Sequence, residues 1–438
     1  MKLNLDVMAL FMSFLERRPD VLAVIKTCRV LHSMGIRYLL AIPFCFDDTG
    51  QFKRALQTQA FLEYIIKYPE RRRYIKEIIF HGSYRGFTSH RDIFKIAWQD
   101  CDNLEKLEIL SIEDLYPNAS PSCFPSHSIS LLHLRELHID CHEPHTSTMI
   151  NNLHAPLQSL ILCLDEGENI ISGNVPKLLQ NFTSTLEDLH ISFGQWYSTP
   201  RYPPIRFPRV HSLSLQYNDI EDIGSIVLAF PNVTSLRILK DDDDYNDMKI
   251  IRTYNLDSMR EIEDSGNGWK QLEEVSGEIL PLFAVGLSYK VSFMDVRLDN
   301  DESEGLCSSG SLRECSTENG KNMFNYSRLT TLTWKFLILD EMRENQAKVR
   351  EFIDIFTELL GRTQSLKHLT FKLRYWKLTS EAITMLGSIL CDDLIDKFRK
   401  AAPGLHSIQM EIECNDPSLT HDQKLMQNTQ VVWKSHSD

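Results

Sequence analysis

The 438-residue sequence has no Cys-x-x-Cys pair, and its ten cysteines (28, 45, 101, 123, 141, 163, 307, 315, 391 and 414) are scattered. That spacing excludes a zinc ribbon or a disulfide-stapled small scaffold, and it reads as reduced, partly buried thiols in a cytoplasmic or nuclear protein. No apolar run approaches the roughly 18 residues that a membrane span needs, so no membrane partner is expected. The first residues, Met1 to Asp6, lack the basic, apolar and small-residue succession of a secretory signal. Positive charge is also in short supply. Lys and Arg total 47 against 60 Asp and Glu, a net charge of −13. That balance disfavours a general phosphate-backbone binder while leaving room for a local basic patch, and no nucleic acid partner is expected.

Catalytic signatures are missing as well. There is no Gly-x4-Gly-Lys phosphate loop, no Gly-x-Ser-x-Gly elbow and no His-Glu-x-x-His. The expectation is a non-enzymatic chain with no cofactor. Cys141-His142-Glu143-Pro144-His145 offers metal-ligand chemistry without a second cluster at matching spacing, and it reads as a polar loop. Asp241 to Asp247 lacks the glycine and terminal glutamate of a calcium loop and reads as solvated carboxylates. Arg71-Arg72-Arg73, beside Glu70 and Glu77, reads as a solvated edge.

What the sequence does have is a repeat. The pattern φ-x-x-φ-x-φ, with φ apolar, occurs at Ile75-Ile78-Phe80, Leu104-Leu107-Ile109, Leu134-Leu137-Ile139, Leu157-Leu160-Leu162, Leu186-Leu189-Ile191, Val210-Leu213-Leu215 and Val233-Leu236-Ile238. It returns at Leu329-Leu332-Trp334, Leu366-Leu369-Phe371 and Leu405-Ile408-Met410. Starts are 23 to 30 residues apart in the first series and 37 and 39 apart in the second. The φ-x-φ tail has the two-residue period of a strand, with alternate side chains inward. Helix-period stretches lie between: 146–153, 176–182, 223–230, 347–361 and 380–402. Pro156, Pro208, Pro231 and Pro403 stand just before strands, where a missing N–H is tolerated. A partial repeat starts at Leu272, and residues 289–298 alternate like a strand.

One strand and one helix per repeat resembles the leucine-rich repeat solenoid. The resemblance implies an α/β fold with parallel strands on the concave side and helices on the convex side, over residues 75–414. The asparagine common in that family stands only at Asn218. An acidic insertion is expected at about 299–322, and a polar, fraying tail at 415–438.

Residues 1–45 fall outside the repeat and read as a small all-helical domain, followed by a linker helix over 46–74. Its apolar content exceeds what about 40 residues can bury alone. Leu5-Asp6-Val7-Met8, Met12-Ser13-Phe14-Leu15, Asp20-Val21-Leu22 and Thr27-Cys28-Arg29 resemble the F-box of fungal F-box and leucine-rich repeat proteins. The resemblance implies docking on a Skp-type adaptor of a cullin ubiquitin ligase, while the solenoid presents a protein substrate. Adaptor contact would rest on Leu5, Val7, Met8, Phe11, Leu22 and Ile25. The alternative is an adaptor-independent interaction scaffold whose N-terminal helices cap the solenoid. Substrate contact would rest on outward strand positions: Glu108, Glu136, His138, Asp140, Asp188, His190, Arg237, Lys335, His368 and Lys372. Acidic groups dominate the early repeats and cations the later ones, a gradient that suits a substrate with a basic end. The same pattern also suits a plain solvated face.

Overall fold

The structure is a computed structural model. It describes residues 4–47, 60–61, 63–81, 101–110, 129–140, 145–164, 175–193, 195–196, 205–216, 219–220, 222–239, 245–270, 272–286, 291–298, 329–338, 346–375, 392–414 and 429–434. The fold is mixed α/β, with parallel strands laid down in chain order, and it is solenoid-like. The chain divides into two compact units, Met1–Gln195 with Ile205–Val210, and Trp196–Pro204 with His211–Asp438.

The first unit begins with three helices, α1 (Leu5–Ser13), α2 (Arg18–Ile25) and α3 (Arg29–Ala41). Asn4 starts α1, its side-chain oxygen accepting from the Asp6 and Val7 N–H groups, which the first helical turn leaves without partners. Strands β1 (Phe44–Asp47), β2 (Glu77–His81), β3 (Lys106–Ile109), β4 (Glu136–Asp140), β5 (Ser159–Cys163) and β6 (Asp188–Ser192) then pair in sequence, all parallel. β1 corrects the expected boundary: residues 46–74 are not one linker helix. Phe44–Asp47 pairs with β2, residues 60–61 and 63–67 are helical, and Pro69–Tyr74 forms a 3-10 turn.

The second unit continues the same plan with β7 (Ser212–Gln216), β8 (Ser235–Leu239), β9 (Leu272–Glu278), β10 (Val291–Leu298), β11 (Thr331–Ile338), β12 (His368–Tyr375) and β13 (Ser407–Cys414). β14 (Thr429–Lys434) pairs antiparallel to β13. The tail expected to fray therefore contains an edge strand. Helices over Ile223–Ala229, Gln346–Leu360 and Asp392–Ala401 overlap the predicted stretches, to within a residue at their starts for the first two. In the first unit, His145–Asn152 and the short helical turns over Val175–Leu178 and Gln180–Phe182 do the same.

Every φ of the ten repeats is buried. Register places like on like: Leu107 faces Leu137, Leu213 faces Leu236, and Leu332 faces Leu369. Two further turns have the same form. Leu272-Val275-Gly277 aligns with Leu236 and Ile238 through Val275 and Gly277, and Val291-Met294-Val296 aligns in turn with it. Gly277 fills a φ position because nothing larger fits: a Cβ there would lie 2.0 Å from the Ile238 carbonyl oxygen.

A second repeated feature is made of backbone alone. The carbonyl of the residue after the first φ accepts two N–H groups from the next turn. Lys76 O takes Glu105 N and Lys106 N (2.7 and 3.0 Å), and Glu105 O takes Arg135 N and Glu136 N (2.8 and 3.1 Å). Arg135, Gln158, His211, Thr234, Thr330 and Lys367 repeat the pattern. A carbonyl oxygen has two lone pairs, so both donors are satisfied at once and the turns are held in step.

Where repeats lengthen, the third φ grows. Trp334 and Phe371 meet Phe356 and Phe398 from the helices in a tight aromatic cluster, with ring centroids 4.6 to 5.5 Å apart. The sequence pattern missed the helix over Tyr245–Asp264, which begins inside the acidic run read as a loop. Its Asn255 is fully buried. Asn255 Oδ1 accepts from Ile223 N (2.9 Å) and Nδ2 donates to Ala284 O (3.0 Å), joining the helix over Ile223–Ala229 to that over Ile279–Val285. Arg252 stacks on Phe283 and donates to its carbonyl.

Two substitutions test these joints by urea denaturation. Asn255→Ala strands a buried N–H and a buried carbonyl and is expected to cost about 2 to 4 kcal/mol. Gly277→Ala forces the Ile238 backbone to move and should cost about 3 kcal/mol or more. A midpoint unchanged in either variant would contradict the packing described.

Candidate functional site

Two surfaces carry the candidate residues, one on the helical head and one on the strands. In the head, Met12, Val21, Ile25, Leu31, Ile36 and Leu40 form a local core. Gly35 lets α3 close on α2: a Cβ there would lie 2.0 Å from Ile25 Cγ2. Ile25, expected as an adaptor contact, is 4% exposed and belongs to this core. The close approach of α3 at Gly35 encloses it. Met8 and Leu22 are half-buried, while Leu5, Val7 and Phe11 are exposed.

Sequence reasoning missed the rest of the exposed face. Val7, Leu10, Phe11 and Phe14 are 57%, 60%, 49% and 73% exposed. Their spacing is i, i+3, i+4, i+7, one continuous stripe along α1. Met12, with Met8 and Leu15 half-buried beside it, lies on the other side of the same helix. α1 is therefore apolar on two faces, and only one of them is used internally. Val30 on α3 is also exposed.

The head is fixed to the first strand by Arg18. Its guanidinium donates to Ile42 O (2.7 Å) and Pro43 O (3.3 Å) and lies over the Phe44 ring, 4.5 Å from its centroid. Phe44 stacks on Phe61 at 3.9 Å. Burial lowers the Arg18 pKa to about 10, so the group remains a cation at neutral pH.

On the strands, the predicted substrate residues occupy the alternate positions that do not enter the core. In the first unit, β2 to β6 place Glu77, Lys106, Glu136, Ser159 and Asp188 in one row. Ile79, Glu108, His138, Ile161 and His190 form the next, and Asp140 faces Cys163 beyond it. Glu136 is exposed and Glu108, His138, Asp140, Asp188 and His190 are half-buried. His138 Nδ1 lies 3.5 Å from Glu108 Oε1, and His190 Nε2 lies 3.1 Å from Ser192 Oγ. Burial raises the Cys163 thiol pKa, and Asp140 adds to the rise against a hydrogen bond with Ser192.

In the second unit, Arg297, Lys335 and Lys372 stand in register on β10, β11 and β12. Lys335 pairs with Asp295 at 2.5 Å and Lys372 pairs with Glu411, so this row is largely neutralised. Arg237 stands on β8, two strands before the row begins, and His368 is exposed with Nδ1 2.9 Å from Ser407 Oγ.

Among the described residues, no group of three His, Cys, Asp or Glu side chains could hold a metal ion, and no helix is long and apolar enough to cross a membrane. Cys141 to Pro144, Asp241 to Asp244 and the acidic insertion lie outside the described residues, while His145 opens a helix. Comparison with protein-family models and with curated proteins returns no match.

Lys106 sits among Glu77 (3.2 Å), Glu136 (3.9 Å) and Glu108. Burial works against its charge, but the hydrogen bond to Glu77 and the three carboxylates prevail and raise its pKa above the usual value. A base with a raised folded pKa stabilises the fold at pH below its unfolded value, and the benefit fades as pH rises through the folded one. Lys106→Gln should therefore lower stability by under about 1 kcal/mol at pH 7. The gap should close above pH ~10.4, the ordinary lysine value, as measured by thermal melts across that range.

Proposed function

We propose that the chain is the substrate-recognition subunit of a Skp and cullin ubiquitin ligase of the F-box and leucine-rich repeat kind. The α1 stripe docks on the adaptor and the strand face holds a protein substrate. The observation that carries this reading is the stripe itself: four large apolar side chains at helical spacing, held outward by a head whose opposite side is already packed. Leaving it in water is unfavourable by about 25 cal/mol per Å² of apolar surface, which favours a partner. The adaptor contacts become Val7, Leu10, Phe11 and Phe14, with Leu5, Met8 and Leu22 at the margin. The chain then contributes proximity rather than chemistry, and transfer of ubiquitin belongs to other subunits.

The capping alternative draws on a separate observation, the Arg18, Phe44 and Phe61 contact that seats the head against β1. The two readings use different sides of the head. A cap needs the inner side alone, whereas adaptor docking needs the outer stripe.

The test is binding of purified full-length chain to a purified Skp-type adaptor by calorimetry. Val7→Ser, Phe11→Ser and Phe14→Ser together should weaken binding by at least about 100-fold, since interface anchors of this type cost 2 kcal/mol or more each. Melting of the head should be unchanged, because the three side chains are exposed. No binding by the wild-type chain would sink the ligase reading and leave the scaffold.

A further inference from the structure

Residues 63–76 carry cations and tyrosines interleaved as Tyr64, Lys67, Tyr68, Arg71, Arg72, Arg73, Tyr74 and Lys76. In the fold these become stacked pairs rather than a loose charged edge. The Arg71 guanidinium carbon is 5.1 Å from the Tyr64 ring centroid and 4.4 Å from that of Tyr68. Lys67 Nζ is 5.5 Å from the Tyr68 centroid, and Arg73 is 5.0 Å from that of Tyr74, to whose hydroxyl it also donates (3.0 Å). Arg72 Nε donates to Ile65 O at 3.0 Å, tying the 3-10 turn to the preceding helix. On α3, which packs against this turn, Arg37 lies over Tyr38 at 4.7 Å.

We infer that this arginine–tyrosine collar is a binding surface for a short acidic protein segment. Stacking occupies the flat face of a guanidinium and leaves its edge to donate; Arg73 gives part of that edge to the Tyr74 hydroxyl, and the remaining in-plane N–H groups of Arg71 and Arg73 are pre-oriented toward a carboxylate. Glu70 reaches Arg71 only at 3.7 Å, outside hydrogen-bonding distance, and Lys76 is already paired with Glu105 at 2.5 Å. The excess of positive charge is therefore local, centred on Arg71 and Arg73. It spans only the six residues of the turn and the end of the preceding helix.

Its surroundings select the partner. The chain as a whole carries −13, which opposes a long polyanion but little affects a segment that meets only this patch at physiological salt. Each of these tyrosine rings already has a cation over it, which takes up a π-face on which single-stranded nucleic acid would stack a base. The collar is also tied down within itself, through the Arg72 hydrogen bond to Ile65 O and the stacking of Arg71 on both Tyr64 and Tyr68. Little ordering cost remains for a ligand to meet. This inference does not rest on adaptor docking through α1 and stands or falls separately.

The test uses the full chain and a fluorescein-labelled decapeptide of alternating Asp and Glu, read by fluorescence anisotropy at low salt and at 150 mM NaCl, with a labelled ten-base thymidine oligonucleotide as competitor class. The wild-type chain should bind the peptide, more weakly at the higher salt. Arg71→Gln with Arg73→Gln should weaken binding by about tenfold or more, while Arg260→Gln, an exposed cation in the other unit, should change nothing. Arg71→Lys keeps the charge but not the fork; it should lose binding too, and it serves as the test should the double variant fail to fold by circular dichroism. Absence of peptide binding, equal loss in Arg260→Gln, retained binding in the collar variants, or tighter binding of the oligonucleotide would each overturn the inference.

Discussion

The structure depends on one backbone contact made eight times among the described residues, the carbonyl after the first φ of a turn receiving two N–H groups from the turn that follows. Hydrophobic burial alone would let strands slide, because one leucine fills a leucine-shaped space much like the next. The shared carbonyl removes that freedom at the point where the chain enters the strand. It also explains why no proline occupies the second or third position of any turn, whereas four prolines stand one or two residues before the first φ. Side chains at those two positions are free to vary, since the lock uses only backbone atoms, and it is there that the charged groups of the strand face begin.

The apolar triplets made the strand ladder legible, since each φ needs only its own burial. The departures share a cause: they depend on residues whose role is set by a neighbour far along the chain. Gly277 breaks the pattern because the Ile238 carbonyl occupies the space a side chain would need. The helix over Tyr245–Asp264 hides behind an acidic start, and its inward Arg252 and Asn255 are polar because they serve backbone groups of two other helices. β1 and β14 carry no repeat motif, as end strands answer to one neighbour rather than two.

The candidate site divides along the same line. Alternation identified the outward strand positions, and the structure places every candidate among them. What alternation could not supply is pairing: Lys335 and Lys372 meet Asp295 and Glu411 among the later strands, and Lys106 sits between Glu77 and Glu136 among the early ones. On α1 the difficulty was different. A helix apolar on two faces has no single amphipathic direction, so periodicity could not say that Met12 turns inward while Leu10 and Phe11 face water.

The antiparallel strand Thr429–Lys434 closes the last parallel turn of its unit. A further turn, from this chain or from a second molecule, would need a shared-carbonyl acceptor facing it in parallel register. A reversed strand presents its donors and acceptors in the opposite sense, so it offers no such template. The repeat that makes growth by addition simple thus ends in an element that stops it, and head-to-tail polymerisation through that edge is discouraged by geometry rather than by charge.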